Sequence, residues 1–335
     1  MPIYRKLILG FLTVSLLVGV IVFLFYYSSA PRELTPIKVG LSWEHEAQFA
    51  GLYWADQKGL YEKEGLKVEF FPYRSTDLAE DLEAGEFDFA LLQTDTLFEA
   101  RSRGLPIKAI FADYRIMPTC YFSKKASNIV KPQDMAGKVV GVAYSERYPL
   151  IAILRQTGVG VSQVNIMARD YSYKPLADGT YDVEAGWVTD GDNVRAAVGE
   201  YNKILPLDYG VNWYADLISA TEDTINRKAE LVKKFLKATS QGWQEAVEHI
   251  DEAALLAQNY GGPIVKETGP EHLKFVLRES APLIHTGDQY IGWMEKDVFE
   301  KAGKILSEQG VFKNQVNAED VYTPYFLMKI YGENK

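Results

Sequence analysis

The chain has 335 residues, 47% apolar and 24% charged, enough apolar surface to build a substantial core without a disulfide or metal staple. Its formal charge is −9, and Arg5 and Lys6 are the only charges in the first thirty residues, so the remainder carries about −11 and argues against a nucleic-acid partner or docking on anionic lipid. Cys120 is the single cysteine, which excludes an intrachain disulfide and a cysteine-rich zinc site.

Leu7 to Tyr27 is a run of 21 residues without a charge. As a helix rising 1.5 Å per residue it spans about 31 Å, close to the thickness of a bilayer's hydrocarbon core. Arg5 and Lys6 precede it, which sets the N-terminus in the cytoplasm and the body across the membrane. Residues 1–30 are therefore expected to be an N-terminal transmembrane anchor, with the body on the periplasmic side. The competing reading is a secretory signal cut near Ser28 and Ala30. The apolar run is longer than such a signal needs, and Pro31 would follow the cut.

From Pro36 strands and helices alternate. Ile37 to Leu41 reads as a strand, Phe49 to Glu64 as a helix closed by Gly65, and Lys67 to Phe71 as the next strand. Thr76 or Asp77 caps a helix to Ala84. Phe87 to Leu92 is a strand, Thr94 to Arg103 a helix, and Ile107 to Phe111 a strand. The rhythm restarts after Lys131-Pro132, with strands at Val139 to Val142, Val164 to Met167, Val183 to Trp187 and Ile204 to Leu207. Helices are expected from Ser145 or Glu146 to Thr157 and from Val194 to Glu200. Asp223 to Val247 reads as one long helix, followed by Asp251 to Asn259, His272 to Glu279 and Met294 to Glu308. The pattern predicts two α/β units, each a mostly parallel sheet flanked by helices, and a helical tail.

The segment Trp43-Glu44-His45-Glu46-Ala47-Gln48-Phe49-Ala50-Gly51-Leu52-Tyr53, followed by Lys58-Gly59-Leu60-Tyr61 and Gly65-Leu66-Lys67-Val68, resembles the opening of periplasmic solute-binding proteins of the thiamine-pyrimidine precursor-binding and thiamine-pyrimidine synthase-like group. Alkanesulfonate and taurine binders are more distant relatives. The resemblance runs from about residue 36 to 330. It implies a two-lobed periplasmic-binding-protein fold, with lobe 1 at 36–115 plus 220–335, lobe 2 at 120–218, and crossings near Asp113 to Tyr121 and Leu217 to Thr221. It also implies a monomer that binds a small molecule in the cleft, closes by hinge bending and docks on an ABC permease.

Independently, ligands of open α/β sheets sit beyond the carboxyl ends of the strands. That rule selects Trp43, Tyr73, Gln93, Thr94, Asp113 and Tyr114 in the first unit, and Tyr144, Ser145, Trp187 and Thr189 in the second. His45, Gln48 and Phe49 join them from the opening motif, and Trp213 and Tyr214 are further aromatic candidates. Aromatic faces stack on flat rings, while amides and a carboxylate pair with ring nitrogens and an exocyclic amine. Each candidate also has a packing explanation: Thr94 as a helix cap, Phe49 in a core, Asp113 and Tyr114 at a hinge. The helix starts at Thr94 and Ser145 leave an oxyanion such as sulfonate open as the alternative, as do Arg74 and Arg115 near the cleft segments.

Three rival classes follow. In the synthases a histidine stands where this chain has Phe49, and a cysteine cluster stands where Met117 to Phe122 holds only Cys120. No phosphate loop, nucleophile elbow or dinucleotide motif occurs, so no cofactor and no catalysis are expected. His45, His249, His272 and His285 are scattered without metal-ligand spacing. Relatives with this opening also occur fused behind sensor proteins; with no second apolar span before Lys335, delivery to a permease is the expectation.

Overall fold

The computed structural model describes residues 33–74, 77–312 and 314–332. The expected N-terminal anchor and Thr76 lie outside the described residues. Among the described residues no helix is long and apolar enough to cross a membrane.

Among the described residues ten strands form two sheets. In chain order they are β1 (Thr35–Gly40), β2 (Leu66–Phe71), β3 (Phe89–Leu92), β4 (Ile107–Tyr114), β5 (Thr119–Lys124), β6 (Val139–Val142), β7 (Asn165–Ala168), β8 (Val183–Trp187), β9 (Tyr201–Ile204) and β10 (Ala215–Thr221). The first sheet has the order β2-β1-β3-β10-β4 and the second β7-β6-β8-β5-β9. β1 with β3, and β6 with both β7 and β8, pair in parallel, as alternating strands and helices require. β10 runs antiparallel between β3 and β4, and β5 antiparallel between β8 and β9. The chain leaves the first sheet after Tyr114, enters the second at Thr119, and is back in the first by Ala215.

Three differences from the sequence reading matter for the site. Ala215–Thr221 and Thr119–Lys124 are full strands, where the pattern gave only crossings. The return to the first sheet therefore precedes Leu217. The expected helix over Asp223 to Val247 is two, Glu222–Arg227 and Ala229–Glu248, broken at Lys228. Phe49 to Glu64 is likewise divided, because Gly59 takes a left-handed φ of +67° between Ala50–Gln57 and Leu60–Lys63. Asp77 caps its helix by accepting from the amides of Ala79 and Glu80 at 3.0 and 3.2 Å.

The long helix Ala229–Glu248 lies on Ala50–Gln57 at glycine-mediated contact. A Cβ at Gly51 would fall 2.0 Å from the Trp243 ring, and one at Gly242 would fall 2.4 Å from the Gly51 carbonyl oxygen. Phe235 of the same helix stacks on Phe89, ring centroids 4.2 Å apart, and on Tyr61 at 5.4 Å. This packing fixes the loop after β1, which carries the opening motif.

Candidate functional site

A cavity of about 860 Å³ opens between the two sheets, walled from both. From the first sheet come Ser42 and Trp43 after β1, Gln93 after β3 and Ala215 at the start of β10; from the second come Thr119, Ser145 and Trp187. Parallel strands bring their carboxyl ends to this gap. The antiparallel strands β5 and β10 bring their amino ends to it instead.

Behind the lining residues Ser42, Gln48 and Gln93 lies Asp216, fully buried. It accepts from Ser42 Oγ at 2.6 Å, Gln93 Nε2 at 2.7 Å and Gln48 Nε2 at 3.1 Å. Burial pushes its carboxyl up to about 6, with the three donors working the other way. With Nε2 of both glutamines committed to Asp216, their carbonyl oxygens remain as acceptors for N–H groups of a bound molecule. Asp216 itself takes a left-handed φ of +46°.

Aromatic rings line both sides. Trp43 meets Tyr171 across the gap at 5.9 Å between centroids, and Trp187 is backed edge-on by Tyr114 at 5.5 Å. Tyr171 and Tyr173 follow β7 with φ of +66° and +53°. Four non-glycine residues have positive φ among the described residues, and three of them, Tyr171, Tyr173 and Asp216, stand at this site. Such strain costs roughly 1–3 kcal/mol per residue and persists where the surroundings hold it. Here they do: Tyr173 Oη donates to Asp190 Oδ2 at 2.6 Å, and Gly186 leaves the room, since a Cβ there would fall 1.9 Å from that hydroxyl.

Arg169 is the cation on the wall of the second sheet. It grips Glu146 with two hydrogen bonds, Nε to Oε2 at 2.9 Å and Nη2 to Oε1 at 2.7 Å, both side chains being about 5% exposed. Burial works against the guanidinium charge, and Glu146 outweighs it, so Arg169 stays protonated. The same guanidinium lies 4.3 Å over the Tyr171 ring. Asp95, on the first turn after β3, also lines the cavity, and burial pushes its carboxyl up to about 6. The wall is therefore acidic, and its arginine is already paired.

Of the residues expected from sequence, Trp43, Gln48, Tyr73, Gln93, Ser145, Trp187 and Thr189 line the cavity, and so does Trp213. The others do not. Phe49 is fully buried in the core and edge-on to Tyr53. His45 sits behind the wall with Nδ1 2.9 Å from Tyr53 Oη, and burial lowers its pKa. Thr94 spends its hydroxyl on Tyr214 O at 2.6 Å. Asp113 points away from the cavity and accepts from Trp243 Nε1 at 2.8 Å. Tyr114 bonds Ser280 at 2.8 Å, and Tyr144 stands exposed, edge-on to Tyr148. Arg115 is held at the β4–β5 link by Asp288 at 2.8 Å, and Arg74 stands exposed near the Phe71 ring. Among the described residues no group of three or more His, Cys, Asp or Glu could hold a metal ion.

The model of the NMT1/THI5 like family matches residues 46–253, more than half of the chain. The protein belongs to the NMT1/THI5 like family. Two similar relatives in this setting are binding proteins by name. The riboflavin-binding protein RibY of Chloroflexus aurantiacus is 24% identical over 89% of this chain and 88% of its own length. The formylaminopyrimidine-binding protein of Halalkalibacterium halodurans is 24% identical over 88% and 92%. In fold, the chain is similar to the periplasmic aliphatic sulphonate binding protein SsuA from Escherichia coli, with a TM-score of 0.70 at 16% identity over 88% of this chain and 93% of that one. That likeness fixes the two-sheet fold of this NMT1/THI5 like protein.

Proposed function

We propose that the chain is the extracytoplasmic solute-binding component of an ABC-type importer, held at the cytoplasmic membrane by residues 1–30, and that it captures a small planar heteroaromatic molecule without transforming it. The single observation that carries this is the cavity itself, lined by the Trp43, Tyr171 and Trp187 rings and by the Gln48 and Gln93 amides that Asp216 orders. Flat rings gain roughly 0.5–1.5 kcal/mol per aromatic contact beyond area burial. Acceptor carbonyls select ring or exocyclic N–H groups, which pyrimidines of the thiamine-precursor type carry. The names of the two binding relatives agree with this class.

Sulfonate, the alternative left open by the sequence, needs a free cation. Arg169 is instead neutralised by Glu146. Catalysis of the synthase type is disfavoured by Phe49 lying in the core and by Cys120, a buried thiol of β5 whose pKa burial pushes up. A second reading concerns ligand size. A volume of about 860 Å³ lies near the upper end for sites of small molecules and exceeds what one pyrimidine fills, which favours a multi-ring heteroaromatic such as a flavin.

Calorimetric titration of the full chain with an aminopyrimidine, riboflavin and taurine tests the proposal. Binding of either heteroaromatic at about micromolar Kd, about −8 kcal/mol, supports it. Taurine binding with no heteroaromatic binding would replace it with the sulfonate reading.

A further inference from the structure

The helix Pro270–Ile284 touches both halves of the molecule. Near its C-terminal end, Leu283 O accepts from the amides of Arg115 and Ile116, at the β4–β5 link, at 2.9 and 3.1 Å. Leu283 also packs on the small core around Cys120 and Phe122 of the second sheet. At the other end His272 is 7% exposed and reaches the cavity. Its Nε2 lies 3.0 Å from Glu46 Oε1, on the loop after β1. Its Nδ1 lies 2.7 Å from Asp192 Oδ2, on the helix Gly191–Val198 that follows β8. One imidazole thus joins a carboxyl from each side of the gap. A neutral imidazole donates from only one nitrogen, and an ionised carboxylate only accepts, so the protonated ring satisfies both contacts at once.

We propose that His272 is a proton-loaded latch between the two sheets: its imidazolium ties Asp192 of the second half to Glu46 of the first, and loss of that proton releases the cleft. The latch stands on these contacts alone, and only its effect on capture rests on the function proposed above.

The charges around it set the sign. Glu44 and Glu46 precede the short turn at Ala47, and Asp190 and Asp192 open the helix after β8. Lys266 and Glu267 lie on helix Pro263–Thr268, Asp251 and Glu252 on helix Ile250–Leu255, and Glu271, Lys274 and Arg278 on the same helix as His272. Two of the cations are occupied, Lys274 by Glu271 and Arg278 by Asp251, leaving an acidic surround. Burial pushes Glu46 toward its neutral form while the His272 bond and charge work the other way, so Asp192, about one-third exposed, is the stronger counter-ion. Burial also pulls His272 down, but its bonds to Asp192 and Glu46 and their charges outweigh this and raise it to about 10. Once Asp192 departs, the ring moves back toward its ordinary 6.5. Closure therefore takes up a proton: the latch is at full strength below that value and is lost as pH rises through about 10.

The test uses the full-length chain with nitroxides at Lys67→Cys on the first half and Lys174→Cys on the second; buried Cys120 is not labelled. The distance between labels is measured by pulsed electron resonance from pH 7 to 10.5, with circular dichroism confirming that the fold persists. Histidine-labelled NMR follows His272 in parallel. The expected result is a distance that lengthens together with His272 deprotonation. Asp192→Asn shifts that midpoint down by at least about one pH unit, and His272→Gln removes the pH dependence. Riboflavin or aminopyrimidine affinity falls about tenfold across the same interval. A constant distance while His272 titrates, or a His272 that titrates near 6.5, overturns the latch. A cleft that opens on this schedule yet binds neither heteroaromatic supports the latch and counts against the ligand reading alone.

Discussion

Gln93 donates to Asp216 across 2.7 Å, tying the carboxyl end of β3 to the amino end of β10. This contact joins parallel and antiparallel strands at the point where the first sheet meets the cavity. Because Ser42 and Gln48 converge on the same carboxylate, one buried charge orients three side chains from three segments.

Asp216 sets opposite pH responses for stability and for capture. Its native pKa of about 6 exceeds the 3.8 of the unfolded chain, so the native state holds the proton more tightly. Its contribution to stability is fully present below 3.8 and is lost as pH rises through about 6, by about 3 kcal/mol in total. Ligand affinity rises over the same interval, as the ionised carboxylate takes up its donors. Asp216→Asn flattens both slopes, and denaturant melts paired with titrations at pH 4.5 and 7 measure them.

Trp43 and Phe49 are near neighbours in sequence with different fates. Trp43→Ala removes a cavity ring and raises ligand Kd about tenfold with little change in melting temperature. Phe49→Ala opens a void in the core and costs roughly 3–5 kcal/mol of stability. Thermal melts and fluorescence titration on the two variants separate the effects.

Glu146→Gln leaves the Arg169 charge facing the cavity without its counter-charge. The variant gains measurable affinity for taurine while losing roughly 3–5 kcal/mol of stability with the broken pair. Taurine titration and chemical denaturation of the same preparation check both.

Gly242→Ala would press a methyl against the Gly51 carbonyl and the Ala55 side chain, at 2.4 and 2.7 Å. The helices must separate, at a cost of about 1–3 kcal/mol. The melting temperature falls, while the preference for heteroaromatic over sulfonate stays as it was.

Much of the fold was legible because parallel strands leave buried apolar runs punctuated by turns and caps. The same logic located Trp43, Gln93, Ser145 and Trp187 by the carboxyl-end rule. It could not select Thr119, or Ala215 with Asp216 behind it, because β10 and β5 run against their neighbours and turn their amino ends to the cavity. Asp113 and Tyr114 stand at a strand end, yet point to Trp243 and Ser280 in the covering helices. The loop after β7 was within reach of the rule, which would have drawn in Arg169 and Tyr171. His272 gave no signal: it meets Glu46 from 226 residues away, a pairing only the tertiary fold creates.

The most direct test is a crystal structure of the chain grown with riboflavin or an aminopyrimidine. The account predicts the planar ring in the gap between the sheets, in contact with Trp43 or Trp187, with its N–H groups on the Gln48 and Gln93 carbonyls. A ring bound outside that gap, or one that displaces both glutamines from Asp216 and takes Arg169 from Glu146, would contradict it.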